Sequence, residues 1–489
     1  MSKPVAFEKP PHPDDAMEES FYAEHIKVYP AAVTGWFRKL KWIILSIWMA
    51  VWMLTPFLRW DRGEGIPNQA VLFDLPGRRF YVFFIEIWPQ EVYYITGLLI
   101  MSALSLFLLT ALAGRVWCGY LCWQTVWTDL FLLVERWIEG DRRDRIKLDE
   151  GPKNLAFIGK KIAKWLAWLT IALCTGGAAV LYFADAPTLI KQLFTGQASS
   201  TAYMWIGILT FTTYFFAGYM REQTCIYACP WPRIQAALTD EYALNVTYKV
   251  DRGEPRVSVK ESKKLKAAGQ PAGDCVDCYQ CVAVCPTGTD IRLGSQLSCI
   301  QCALCIDACA SIMTKLGREP TLIAYDTPIN FDRRREGLAP IYKPFRARTL
   351  LYMVILTIVA SIMVYTFVNR GFAGVNVLHD RNPLYVVNSD GSVRNGFTIR
   401  LLNRIGKARH MVLSLEGAPA GAKLEAIGID ETVDGNPLIL VPPDTTREVR
   451  VNVVVPGSEL KSNSLDIRFR VTAQEDKETA IHKDFFKSP

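Results

Sequence analysis

Apolar runs long enough to cross a membrane alternate with charged loops over the first 370 residues, and a period-two pattern replaces them afterwards. A span needs roughly 20 apolar residues to cross about 30 Å of hydrocarbon. Five stretches qualify, 42–58, 93–113, 165–184, 201–220 and 349–368, the first of them short and ending near Pro56. A sixth apolar patch, 80–88, contains Glu86 and is too short to span; its aromatic content predicts an interfacial or extracytoplasmic segment. From about Gly371 apolar residues alternate with polar ones: Phe397, Ile399 and Leu401, then Met411, Leu413 and Leu415, then Val449, Val451 and Val453, then Leu465, Ile467, Phe469 and Val471. With turn signals at 388–391 and 434–437, this predicts a cysteine-free, immunoglobulin-like β-sandwich whose use is contact with a partner outside the membrane.

Charge fixes the expected orientation. Ten Lys and Arg lie between 115 and 164, whereas the loop between the third and fourth spans has only Lys191. Arg38, Lys39 and Lys41 precede the first span, and Arg333, Arg334, Arg335, Lys343, Arg346 and Arg348 precede the fifth. Positive loops stay in the cytoplasm, so the N-terminus and the segment between spans four and five are expected there. Everything after span five is expected in the periplasm. The first forty residues are polar and show no cleavable signal. The net charge of +7 comes with no basic–aromatic repeat, which excludes nucleic acid as a partner. The polyarginine before span five reads as an anchor to membrane lipid headgroups.

Eight of the thirteen cysteines form two copies of one spacing, Cys275-x2-Cys278-x2-Cys281-x3-Cys285 and Cys299-x2-Cys302-x2-Cys305-x3-Cys309. This is the run of bacterial two-cluster ferredoxins, in which the fourth cysteine of each run ligates the other cluster. One [4Fe–4S] cluster is expected on Cys275, Cys278, Cys281 and Cys309, and a second on Cys299, Cys302, Cys305 and Cys285. Zinc sites pair two CxxC knuckles across a long loop and do not use this doubled run. Disulfides need an oxidising compartment, yet no cysteine falls in an expected outside loop or after residue 309. Pro286 follows the first run and Ala310 the second, a difference expected to touch turn rigidity and not ligation.

Two further pairs, Cys118-x-Tyr120-x-Cys122 and Cys225-x-Tyr227-x-Cys229, sit just past the expected cytoplasmic ends of spans two and four. On a helix, i and i+4 share a face, so two such helices could offer four thiolates to one point. Thiolates suit Cu(I), zinc or an iron–sulfur cluster, and the spacing admits a bound cofactor and a passing substrate alike. Cys174, inside span three, reads as a small core residue. None of the five histidines, His12, His25, His379, His410 and His482, lies in a span, which argues against a bis-imidazole membrane haem.

Taken in order, 117–127 (Trp-Cys-Gly-Tyr-Leu-Cys-Trp-Gln-Thr-Val-Trp), 225–230 (Cys-Ile-Tyr-Ala-Cys-Pro), the doubled ferredoxin run, 74–79 with 88–90, and the terminal β domain make the chain resemble the FixG/CcoG family of cytochrome c oxidase accessory proteins. The family's CxxxC is followed by proline; Cys229 keeps it, and Cys122 has Trp123 instead. The resemblance implies a membrane-bound polyferredoxin of the bacterial inner membrane that serves assembly of the cbb3-type oxidase with its copper-delivery factors. It also implies reduction of Cu(II) to Cu(I), with copper held at Cys118, Cys122, Cys225 and Cys229 and electrons drawn from a cytoplasmic or quinol donor. A quinol-linked conduit to a periplasmic partner and a non-enzymatic assembly scaffold stand beside it. The expected organisation is a tail at 1–40, a four-span domain at 41–250, a ferredoxin domain and linker at 251–346, a fifth transmembrane helix at 347–370 and the β domain at 371–489.

Overall fold

The computed structural model describes residues 27–62, 66–443, 445–460 and 462–489, without the side chains of Gln90 and Lys266. Residues 1–26 of the expected tail, His12 and His25 included, lie outside the described residues. Two compact units appear, one formed by residues up to 55, 102–184 and 188–355, the other by 56–101, 185–187 and 356–489.

Among the described residues, four helical segments are long and apolar enough to cross a membrane: Trp36–Phe57, Tyr93–Ala113, Leu155–Tyr182 and Ala347–Val368. The stretch expected as a further span, 201–220, is not one α-helix. It runs as an α-helix over Ser200–Tyr214 and widens into a π-helix over Phe215–Met220. Contacts from other helices meet it there: Gly218 lets the Trp168 ring approach, leaving 3.1 Å for any Cβ. The Gln124 amide takes the Phe216 and Arg221 carbonyls at 2.8 and 3.1 Å. π-turns of this kind recur at functional sites.

The helix ends are capped by short polar side chains. Asn154 accepts from the Phe157 amide at 2.9 Å and Ser199 from the Ala202 amide at 3.2 Å. The Trp36–Leu54 helix borrows its cap: Asp307 accepts from the Phe37 and Arg38 amides at 3.2 and 2.8 Å, and Gly35 leaves room for that carboxylate.

Six of the basic residues that read only as orientation marks are buried: Arg38, Lys41, Arg115, Arg145, Lys161 and Lys164. The helix Trp123–Glu139 buries three acids, Asp129, Glu135 and Glu139. Asp129 pairs with Lys41 at 2.9 Å and Arg38 at 3.3 Å. Glu135 meets Arg221 at 2.5 Å and Arg145 at 2.8 Å, and Glu139 meets Lys161 and Lys164 at 2.9 Å each. Burying charge is costly unless each ion is paired, and each of these three acids meets at least two buried cations. Arg334 of the polyarginine run is likewise paired, with Asp326 and Asp251.

The ferredoxin segment is framed by two antiparallel strands, Asn245–Tyr248 and Ile323–Asp326. Val246, Ile291, Met313, Leu322 and Ile323 form its apolar core together with Cys275, Cys281 and Cys309. Pro286, which cannot continue a helix, follows the short helix Gln280–Ala283, whereas Ala310 lets its counterpart run over Leu304–Lys315. The difference thus sets helix length.

In the other unit, 71–87 folds as a three-stranded antiparallel sheet, Val71–Asp74, Arg79–Val82 and Ile85–Ile87. The C-terminal region holds two antiparallel sheets. One runs Lys423–Ala426, Thr445–Val455, Val393–Asn403, Ala373–His379, with Val386–Val387 also on Val393–Asn403. The other runs Thr432–Val433, Asn436–Val441, Arg409–Glu416, Ser464–Ala473, Thr479–Lys487. The alternating residues named above line a single core, where Phe397 and Phe469 meet edge to face at 5.0 Å. The two-residue turn Asp434–Gly435 has positive φ at both positions, 51° and 77°, as a tight hairpin requires.

Candidate iron–sulfur and thiol centre

The two ferredoxin runs share an unusual backbone. Asp277 and Tyr279 flank Cys278, Gln301 and Ala303 flank Cys302, and all four adopt positive φ between 50° and 61°. None is glycine, so each is held there against its own preference. Alternation of this kind turns successive N–H groups towards one point, the anion-binding nest found at iron–sulfur sites.

Two hollows result. One, of about 340 Å³, is walled by Cys275, Cys278, Cys281 and Cys309. The other, of about 350 Å³, is walled by Cys285, Cys299, Cys302 and Cys305, with Cys281 at its edge. The Thr287 hydroxyl lies 3.3 Å from the Cys285 sulfur, whereas the Tyr248 hydroxyl beside the first hollow donates to Glu254 at 3.2 Å. Burial pushes the thiols of Cys281, Cys299 and Cys309 up to about 12, so a metal must displace protons to bind them. Among the described residues no three Cys, His, Asp or Glu side chains close on a single ion. A cubane holds its thiolates farther apart than one ion does, and soft thiol donors around an N–H nest fit such a cluster.

The Cys-x-Tyr-x-Cys pairs depart from the i, i+4 expectation. Cys118 lies in the short helix Val116–Tyr120, but Cys122 has left it and stands extended before Trp123–Glu139. Cys225 lies in the π-helix Thr224–Ala228, and Cys229 is its extended cap before Pro230. In both, the second cysteine donates its amide to the carbonyl five residues back, Cys122 to Trp117 at 3.0 Å and Cys229 to Thr224 at 2.8 Å. The second sulfur therefore leaves the helical face, so a shared helix face is not what groups the four. They remain neighbours: burial first, then the other three sulfurs, push Cys225 up to about 12, and burial with Cys122 and Cys229 does the same for Cys118. Cys174 is exposed on its helix, contrary to the core placement expected of it.

Cys118 and Cys225 pack against the buried cluster of Val284, Ile300, Cys302, Leu304 and Ala308, and Ile300 and Cys302 also line the second hollow. The Tyr120 hydroxyl donates to the Cys302 carbonyl at 3.2 Å, and the Cys118 sulfur lies 3.3 Å from Gln235 Oε1. A polar hollow of about 300 Å³ joins Cys225, Arg221 and Glu222 to Pro286 and Thr287. The spacing of cysteines gave no sign of Arg115, Gly119, Gln124 or Gln235, although Arg115, Gly119 and Gln124 stand in or beside the quoted 117–127 stretch.

Comparison with known proteins bears on the whole chain. A family described as "4Fe-4S dicluster domain" matches residues 220–328, and one described as "4Fe-4S binding domain" matches 95–140. A third, "IG-like fold at C-terminal of FixG", matches 363–489. The chain is 48% identical over 462 residues to the nitrogen fixation protein FixG of Rhizobium meliloti, covering 89% of this chain and 87% of that one. It is 46% identical to protein RdxA of Cereibacter sphaeroides, over 93% and 95% of the two chains, and 50% identical to that organism's protein RdxB, over 83% and 87%. With iron–sulfur domains, a terminal immunoglobulin-like domain and relatives this similar over nearly its full length, the chain belongs to the FixG/CcoG-type family.

Proposed function

We propose that this iron–sulfur protein is a membrane-bound electron carrier that reduces Cu(II) to Cu(I) for assembly of a cbb3-type cytochrome c oxidase. The observation that carries the reading is that Cys118 and Cys225 pack against a buried cluster whose Ile300 and Cys302 also line a four-cysteine hollow. In this reading Cys275, Cys278, Cys281 and Cys309 hold one [4Fe–4S] cluster, and Cys285, Cys299, Cys302 and Cys305 the other. When bound, such clusters supply single electrons at potentials tunable over roughly −700 to +450 mV. Cys118, Cys122, Cys225 and Cys229 hold copper as the substrate. Cu(II) takes up one electron there and leaves as Cu(I), the state that thiolates favour.

The membrane domain has five spans in this reading, with the helix from Ser200 and its π-continuation as the fourth. The N-terminus and clusters face the cytoplasm of the bacterial inner membrane, and the β domain faces the periplasm and the oxidase. Anaerobic mixing of dithionite-reduced protein with Cu(II) tests it, with Cu(I) trapped by a chromogenic chelator. Replacing Cys118, Cys122, Cys225 and Cys229 by serine should abolish trapped Cu(I); undiminished Cu(I) would sink the copper assignment.

A second reading has one observation behind it. The stretch 95–140 resembles a 4Fe-4S binding domain although its only cysteines are Cys118 and Cys122, so the four thiols could carry a third cluster. Iron content separates the two, at about eight irons per chain for two cubanes and about twelve for three.

A further inference from the structure

Each four-cysteine hollow has a buried arginine beside it, and the two are treated differently. Arg292, near Cys275 and Cys281, is neutralised by Asp277 at 2.5 Å and Asp290 at 2.7 Å. Arg115 is buried too, but its guanidinium is spent on carbonyl oxygens: Leu297 at 2.6 Å, Cys299 at 3.2 Å and Pro232 at 2.9 Å. Its own amide donates to Gln301 Oε1 at 2.7 Å. Among the described residues no carboxylate pairs with Arg115. A full positive charge is therefore fixed at the loop carrying Cys299, three residues before Cys118, without a counter-ion.

We propose that Arg115 is a positioning residue that holds the second hollow against the thiol pairs and supplies the counter-charge for an electron stored at Cys285, Cys299, Cys302 and Cys305. Adding an electron makes a thiolate-ligated cluster more negative, and the wall of this hollow keeps Cys302 buried and Cys285, Cys299 and Cys305 half-buried. Burial opposes added charge; a nearby cation favours it. The unpaired arginine distinguishes the two hollows. Its guanidinium donates to the Cys299 carbonyl at 3.2 Å and its backbone lies three residues before Cys118, so one cation serves electron store and thiol site together. The inference rests on clusters occupying the hollows and not on copper being the acceptor.

The test is an EPR-monitored redox titration of the full-length protein without copper, with Cys299→Ser marking which signal belongs to this hollow. Arg115→Gln should shift that signal to lower potential and leave the other in place, while Arg115→Lys restores most of the shift. Unchanged potentials in fully loaded Arg115→Gln protein, or equal shifts of both signals, would overturn the proposal. Should the glutamine variant fail to take up iron, Leu297→Glu decides. Leu297 is 53% exposed, and its carbonyl already accepts from Arg115. A carboxylate there should lower the same signal; no shift overturns the inference. Absence of any iron–sulfur signal in the unaltered protein would instead overturn the cluster assignment itself.

Discussion

Gly119 stands so close to Cys302 that a Cβ on it would lie 3.0 Å from the Cys302 amide nitrogen and 2.9 Å from the Ile300 carbonyl oxygen. A glycine between the cysteines of one pair is thus pressed on the backbone of another motif nearly two hundred residues away. Backbone cannot swing aside as a side chain can.

Gly119→Ala should therefore force the two segments apart and cost about 1–3 kcal/mol, the range for overpacking a filled site. The measurement is iron and acid-labile sulfide per chain together with thermal stability, both expected to fall. Gly159→Ala is the control, because nothing lies within 4 Å of that position; it should leave iron content unchanged.

Glu135 gives a pH-dependence. Burial alone would raise its carboxyl, but Arg221 first, then Lys164 and Arg145, hold it down to about 2. A depressed carboxyl contributes stability that is complete above its unfolded value of 4.5 and disappears as pH falls towards about 2. Melting temperature in detergent should drop across that window. Glu135→Gln should flatten this dependence and cost about 3–5 kcal/mol at neutral pH, by stranding buried cations. An unchanged acid limb would show that the pairing does not survive in solution.

At Cys118 and Cys225, thiols pushed up to about 12 are protonated at neutral pH. Metal binding must displace those protons, so apparent Cu(I) affinity should tighten as pH rises from about 6 to about 9. Competition titrations with a Cu(I) chelator across this range check it. A flat profile would mean that Cu(I) is held elsewhere.

In the β-sandwich, Phe469 is fully buried against Phe397. Phe469→Ala should destabilise that domain by about 3–5 kcal/mol. Limited proteolysis should then cut after residue 371 while the iron content stays that of the unaltered protein.

What the sequence disclosed follows from which signals are carried by residue type. Cysteine spacing grouped the thiols because only cysteine does that chemistry, and alternation at 397–401 and 465–471 marked strands because one sheet face is dry. The positive φ values at Asp277, Tyr279, Gln301 and Ala303 left no trace, since none is glycine. The short strands at 71–87 hid within an aromatic run that reads equally well as interfacial. The widening at Phe215 depends on a ring from another helix and an amide from Gln124, contacts that no local periodicity encodes. Lys41, Lys161 and Lys164 read in the sequence as orientation marks, and their burial against acids on one helix became visible only in three dimensions.

The bonds from Cys122 to Trp117 and from Cys229 to Thr224 have a mechanical consequence. Each wide turn sets the rotational phase of the helix that follows. Deleting a single residue, Leu121 for instance, would turn the Trp123–Glu139 helix by about 100° about its axis. Asp129, Glu135 and Glu139 would then face away from Lys41, Arg221 and Lys164. The number of residues between the paired thiols is thus geared to the ion pairs along the next helix, and neither can be changed without slipping the other.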